Sequence, residues 1–147
     1  MKKRFPIRFI STEKGNDFRP VGRLRSATLR ILRQEKMIRG KIQVFWITER
    51  EMANMNYAVK KRRASTDVLS YPRADGEHLG DVFVAPSYAL KIAREKKYRV
   101  KDVVLRWVVH GIFHILGYDH ADPLDARVME TKEREVIGHV GGVFVTP

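Results

Sequence analysis

Apolar and polar positions alternate from Phe5 to Ser11, the period of a strand with one buried face. After Arg19-Pro20 the period lengthens to that of a helix. Val21, Leu24, Thr28, Ile31 and Leu32 share one stripe, Arg23, Arg30 and Arg33 fall mostly off it, and Gly40 ends it. Lys41 to Thr48 is rich in β-branched and aromatic residues and predicts a second strand. Thr48 and Glu51 have the spacing of a capping box for a short helix reaching about Ala58. Lys60-Lys61-Arg62-Arg63 predicts a loop, and Val68 to Tyr71 a third strand that Pro72 stops. Asp75-Gly76 marks a turn before a fourth strand, Asp81 to Ala85, and a helix follows from Pro86-Ser87 to about Lys97.

The opening strand-helix-strand unit predicts parallel pairing through a right-handed crossover. The short turn at Asp75-Gly76 favours an antiparallel partner at the far side. No repeat, low-complexity segment or linker interrupts the chain. The expectation is one α+β domain over residues 1–147, a mixed sheet of four strands packed with helices.

Asp102 to Leu116 is apolar nearly all round, so this helix belongs at the centre of the domain. Its few polar members, Arg106, His110 and His114, are spaced by four and share one face. Gly117 suits the left-handed turn that closes a helix. Asp122-Pro123, with Asp125 three residues after the cap, opens a last helix to about Ile137.

Composition narrows the chemistry. The 147 residues carry no cysteine, which excludes disulfide scaffolds, thiol nucleophiles and Cys-ligated metals. No apolar run approaches the ~18 residues of a membrane span. The basic start, MKKRFPIRFIS, lacks the apolar core of a signal peptide, so a cytoplasmic location is expected. The net charge of +12 is unevenly placed: +10 over residues 1–50, +4 over 51–100 and −2 over 101–147. The basic part suits a polyanion such as nucleic acid, although a solvated, salt-bridged surface has the same composition.

The acidic remainder holds a cluster of histidines: His110, His114 and His120. Two imidazoles one helical turn apart, with a third returning past Gly117, can occupy three corners of a tetrahedron around zinc. The fourth corner then stays open, the catalytic arrangement. The same ligand spacing occurs in metzincin peptidases, but Gly111 stands where those enzymes hold their general-base glutamate. Peptide hydrolysis would therefore need an acid from elsewhere, such as Asp119 or Glu133.

HGIFHILGYDH, residues 110–120, resembles the signature of the YbeY family of bacterial endoribonucleases, usually written HGxLHLxGYDH. STDVLSYP, residues 65–72, and LGDVFV, residues 79–84, resemble that family's second and third blocks in order and separation. The resemblance implies an α+β domain with a mixed four-stranded sheet and a zincin-like central helix that binds metal. It implies a zinc-binding, single-strand-specific endoribonuclease of ribosomal RNA processing, including 16S maturation, and of ribosome quality control. Carried over by residue, His110, His114 and His120 are the ligands of one Zn2+, and the partners are ribosomal RNA and the ribosome or its subunit, with no DNA or membrane. The family's usual aromatic-arginine pair reads Val59-Lys60 here. Lysine keeps the charge without the planar fork, so either Lys60 acts or one of Arg62, Arg63 and Arg106 contributes.

The catalytic candidates are thus His114 and Lys60, with Lys60, Lys61, Arg62, Arg63, Ser70, Arg23 and Arg30 as substrate contacts. Asp119 is either a group that orients a ligand or a turn residue. His78 and His139 read as surface, Met129 as core packing or a floor to the metal site, and Trp46 and Trp107 as core. Cleavage through the RNA 2′-hydroxyl would leave cyclic 2′,3′-phosphate ends, whereas attack by water would leave 5′-phosphates. The competing functions are a metallopeptidase-like hydrolase and a non-catalytic ribosome- or RNA-binding module with a structural metal.

Overall fold

The computed structural model describes residues 6–12, 18, 20–60 and 68–146, with the side chains of Val59, Lys60 and Ala74 excepted. Four strands, β1 (Ile7–Ser11), β2 (Lys41–Trp46), β3 (Leu69–Asp75) and β4 (His78–Val84), form one sheet in the order β1-β2-β4-β3. β1 pairs parallel with β2 and β2 parallel with β4, while β3 and β4 form an antiparallel hairpin around Gly76. The sheet is therefore mixed, with the pairing directions that strand order and turn chemistry predict.

The helices are α1 (Gly22–Gln34), α2 (Glu49–Lys60), α3 (Pro86–Lys96), α4 (Val100–Ile115) and α5 (Pro123–His139). The capping box forms reciprocally: Thr48 Oγ1 accepts from the Glu51 N–H at 3.0 Å, and Glu51 Oε1 accepts from the Thr48 N–H at 3.0 Å. The same Glu51 oxygen accepts from the Thr12 hydroxyl at 2.7 Å, tying α2 to the end of β1. Asp122 caps α5 by accepting from the Asp125 N–H at 2.9 Å.

β4 begins at His78 rather than Asp81, and α2 takes in Lys60, expected in a loop; two further boundaries differ from expectation for identifiable reasons. α1 ends at Gln34, six residues before Gly40, because Lys36 takes the left-handed conformation (φ 57°). Gly40 is instead buried where the chain enters β2, and a Cβ there would collide with Leu79. β3 runs on through Pro72 to Asp75, since β3 is an edge strand and a proline on an edge forfeits no interior ladder bond. The bulge between Pro72 and Asp75 absorbs the irregularity.

The core lies between one face of the sheet (Ile42, Val44, Trp46, Val82 and Val84) and the helices α1 and α4. Burying each such side chain contributes roughly 1.5–3 kcal/mol. Eleven of the sixteen residues of α4 are buried, which makes it the central helix. Its approach to the sheet is close because a glycine stands on each side of the contact, Gly80 on β4 and Gly111 on α4 itself. A Cβ on Gly80 would lie 2.7 Å from the Tyr71 carbonyl and 2.8 Å from Ile115, and one on Gly111 would lie 3.1 Å from Val82. Gly80→Ala should therefore lower stability by about 1–3 kcal/mol through overpacking, read as a reduced urea midpoint at an unchanged slope.

Candidate metal centre

α4 carries Arg106, His110 and His114, all partly buried, the first two against Glu133 of α5. Beyond His114 the helix closes in a Schellman motif. The Tyr118 N–H donates to the Phe113 carbonyl at 3.0 Å, the Gly117 N–H to the His114 carbonyl at 3.0 Å, and Gly117 takes φ 99°. The Phe113 and Tyr118 rings meet edge to face at 5.4 Å, supplying the apolar contact of that motif. This turn sends the chain back so that His120 reaches the same face. The ring centroid of His120 lies 5.4 Å from that of His110 and 4.9 Å from that of His114.

Each helical imidazole has a partner that only accepts. His114 Nδ1 lies 2.9 Å from the Tyr118 carbonyl oxygen, and His110 Nδ1 lies 2.9 Å from Glu133 Oε1. Glu133 is 1% exposed, and its second oxygen lies 3.1 Å from Arg106 Nη1. Both Nδ1 atoms therefore carry the proton, and both Nε2 atoms present bare lone pairs. Those lone pairs face each other at 3.0 Å. Two neutral acceptors at that distance repel, and either a metal ion or a proton shared as an N–H···N hydrogen bond relieves the contact. One ligand atom from each of His110, His114 and His120 falls within 4.8 Å of the others, so the three residues fit a single metal ion.

Burial pushes the His114 imidazole below the usual histidine range, and its neighbour His110 adds to the shift against the opposing pull of the Tyr118 carbonyl. His114 consequently stays neutral, and able to bind metal, at a pH where an ordinary histidine is already protonated.

Other singled-out residues fall elsewhere. Asp119 is exposed and accepts from the His120 N–H at 2.7 Å, holding the backbone of that ligand. Ser70 pairs with Val82 and so shares the sheet face that α4 covers. Arg23 lies 3.8 Å from the buried Asp102, and Arg30 pairs with Glu135 at 3.3 Å. Lys60 ends α2, its side chain outside the described residues, as are Lys61, Arg62 and Arg63. Met129, Trp46 and Trp107 are core. His139 is exposed, but His78 is partly buried, with Nε2 2.8 Å from Asp81 Oδ1, because it opens β4 beside that buried carboxylate. Glu133 sits behind His110 at its Nδ1 side, which suits orientation of that ring rather than the proton-accepting role weighed from sequence. Its signal was legible only as a carboxylate on the buried stripe of α5, beside Met129, Val136 and Ile137.

The fold and this site define a mixed α+β domain with a three-histidine centre on its central helix. The family profile of endoribonuclease YbeY matches residues 12–141, and the chain belongs to that endoribonuclease family. The endoribonuclease YbeY of Anaeromyxobacter dehalogenans is 33% identical over 131 residues, covering 86% of this chain and 68% of that protein. That of Finegoldia magna is 32% identical over 105 residues, covering 68% and 69%. A solution structure of a Thermotoga maritima protein superposes with a TM-score of 0.68 at 26% identity, covering 91% of this chain and 88% of that one.

Glu133→Gln should weaken divalent-metal binding by roughly 10–100-fold in a competitive chelator titration, because the carboxylate orients His110. Gly117→Ala should cost about 1–2 kcal/mol through its left-handed φ, although the space for a methyl group is open. Because that turn also delivers the Tyr118 carbonyl and His120, metal affinity should fall with it; unchanged affinity would separate the turn from the site.

Proposed function

We propose that this chain is a zinc-dependent endoribonuclease of the cytoplasm that cleaves single-stranded segments of ribosomal RNA in 16S maturation and ribosome quality control. The observation that carries the reading is the convergence of His110 and His114 lone pairs, with His120 beside them, on a partly open face. Family membership supplies the RNA substrate class. The net charge of +12 agrees with a polyanionic partner.

His110, His114 and His120 would hold the ion, which when bound supplies Lewis acidity to a phosphodiester. Glu133 and the Tyr118 carbonyl keep the two helical imidazoles in the tautomer that binds metal. Lys60, at the end of α2, is the proposed cation for the charge that develops on the scissile phosphate, with Lys61, Arg62 and Arg63 along the strand and Ser70 as a further contact. Arg106 is engaged with Glu133 and stacked on Phe144, 4.4 Å from guanidinium carbon to ring centroid, which favours Lys60 and its neighbours over it.

A peptidase reading draws less support from the structure. A side chain at position 111 would enter the α4–sheet contact at Val82, so that position does not offer a base to the metal side.

The test is cleavage of an end-labelled ribosomal RNA fragment by metal-loaded protein, beside a chelated sample and His114→Ala. Cleavage should fall at least ~100-fold in both, the scale of losing a catalytic metal's contribution. Cleavage that survives in His114→Ala would place the chemistry elsewhere, and intact RNA with folded, metal-loaded protein would favour the binding module. Cyclic 2′,3′-phosphate or 5′-phosphate ends on the products would identify the nucleophile.

A further inference from the structure

The corner where α3 ends and α4 begins carries a dense run of cations. Arg94, Lys96, Lys97, Arg99 and Lys101 fall within eight residues, and Glu95 is the one carboxylate among them. Four of the five are exposed and Lys101 is partly so. None of the five has an ion pair, a side-chain hydrogen bond or a ring contact among the described residues. Lys91, a turn earlier on α3, is by contrast paired with Glu49 at 2.9 Å.

Part of this charge has an ordinary use. Arg94 and Lys96 lie in the last turn of α3, where cations meet the negative end of the helix. The rest works against the fold. Arg99 immediately precedes α4 and Lys101 lies in its first turn, at the positive end of a sixteen-residue helix. Arg99 supplies no side-chain cap there. The first turn holds one acid, Asp102, which is 4% exposed, lies 3.8 Å from Arg23 and accepts from the Val143 N–H. Its charge is thus engaged by other partners. Lys97 takes φ 60°, a conformation in which glycine is the ordinary residue and a lysine is strained. Unpaired cations crowded at the positive end of a helix raise the energy of the free protein, a cost that an anionic ligand removes.

The surroundings of the charge favour a polymer of phosphates over a lipid surface. A membrane-binding segment presents apolar side chains for insertion. Here the apolar residues of the corner, Tyr98 and Val100, are half-buried against the core instead. Ten residues of α4 separate Val100 from His110 and fourteen separate it from His114, so the corner stands roughly 15–21 Å from the histidines along the helix axis. We propose that this corner anchors the backbone of single-stranded RNA, with Lys97, Arg99 and Lys101 each taking a phosphate of a stretch remote from the cleavage point. The proposal rests on the endoribonuclease reading for its ligand. It adds to the contacts drawn from sequence, none of which lies between residues 94 and 101.

The test compares Arg99→Gln/Lys101→Gln with a charge-matched control, Arg8→Gln/Arg39→Gln, two exposed cations on β1 and ahead of β2. A fluorescein-labelled, 2′-O-methyl single-stranded RNA reports binding by anisotropy across a salt series, and unmodified RNA at saturation reports cleavage by metal-loaded protein. Loss of two phosphate contacts should weaken binding about tenfold at low salt and reduce the slope of log K against log salt by about 1.4. Tm should hold or rise slightly, because two cations leave the positive end of a helix. Cleavage at saturation should stay at the wild-type rate. A loss of affinity no larger than the control's would overturn the proposal. So would a wild type that leaves the RNA unbound or binds only phosphatidylserine vesicles. A Tm that falls together with the affinity would make these cations part of the fold and would also overturn it. A wild type that binds RNA through the corner yet never cleaves it would count against the endoribonuclease reading and leave the anchor standing.

Discussion

The Nε2 atoms of His110 and His114 lie 3.0 Å apart, a contact between neutral acceptors that a bound metal ion or a shared proton relieves, and much of the domain serves to hold the two rings in it. Neither ring can escape by moving its proton, because a carbonyl and a buried carboxylate accept from the Nδ1 side. The carbonyl is where it is because Gly117 permits the Schellman turn, and the carboxylate because α5 packs beside α4. α4 in turn sits close to the sheet because Gly80 and Gly111 leave room for it. Local backbone conformation, packing and electrostatics therefore converge on one pair of lone pairs.

Burying Glu133 is costly unless its charge is answered, and Arg106 answers it from the same face of α4 that carries the histidines. Arg106 is itself steadied by Phe144, which lies 4.4 Å from its guanidinium and 3.9 Å from that of Arg134. The segment around Phe144 is anchored by buried Val145 and by the Val143 N–H donating to Asp102 at 3.2 Å. A chain of contacts thus joins the end of the described chain to His110. The acidic side chains of the last third serve caps, ion pairs and histidine orientation.

The parts of this arrangement that depend on near neighbours were legible in the sequence. The i, i+4 histidines, the glycine three residues on, the Thr48–Glu51 box and the Asp122 cap are local patterns with local physics, and the structure forms each of them. The parallel and antiparallel pairings followed from connection length. What was not legible depends on contacts between distant segments. Pro72 is tolerated inside β3 only because β3 lies at the edge, a fact of strand order. α1 stops early because Lys36 adopts a left-handed conformation for which its residue type gives no signal. Glu133 was visible as an acid but not as the partner of His110, twenty-three positions away. Nor could the sequence show that Asp102 and Glu135 would engage Arg23 and Arg30.

The central claim is that the three imidazoles form one metal site prepared by the fold. Its most direct measurement is a titration of metal-free protein with cobalt, followed by visible absorption. One equivalent per chain should give the intense bands of a four-coordinate ion with nitrogen ligands, and His110→Ala should abolish them while the circular dichroism stays that of a folded domain. A weak octahedral spectrum in the wild type, or an unchanged one in His110→Ala, would contradict the account.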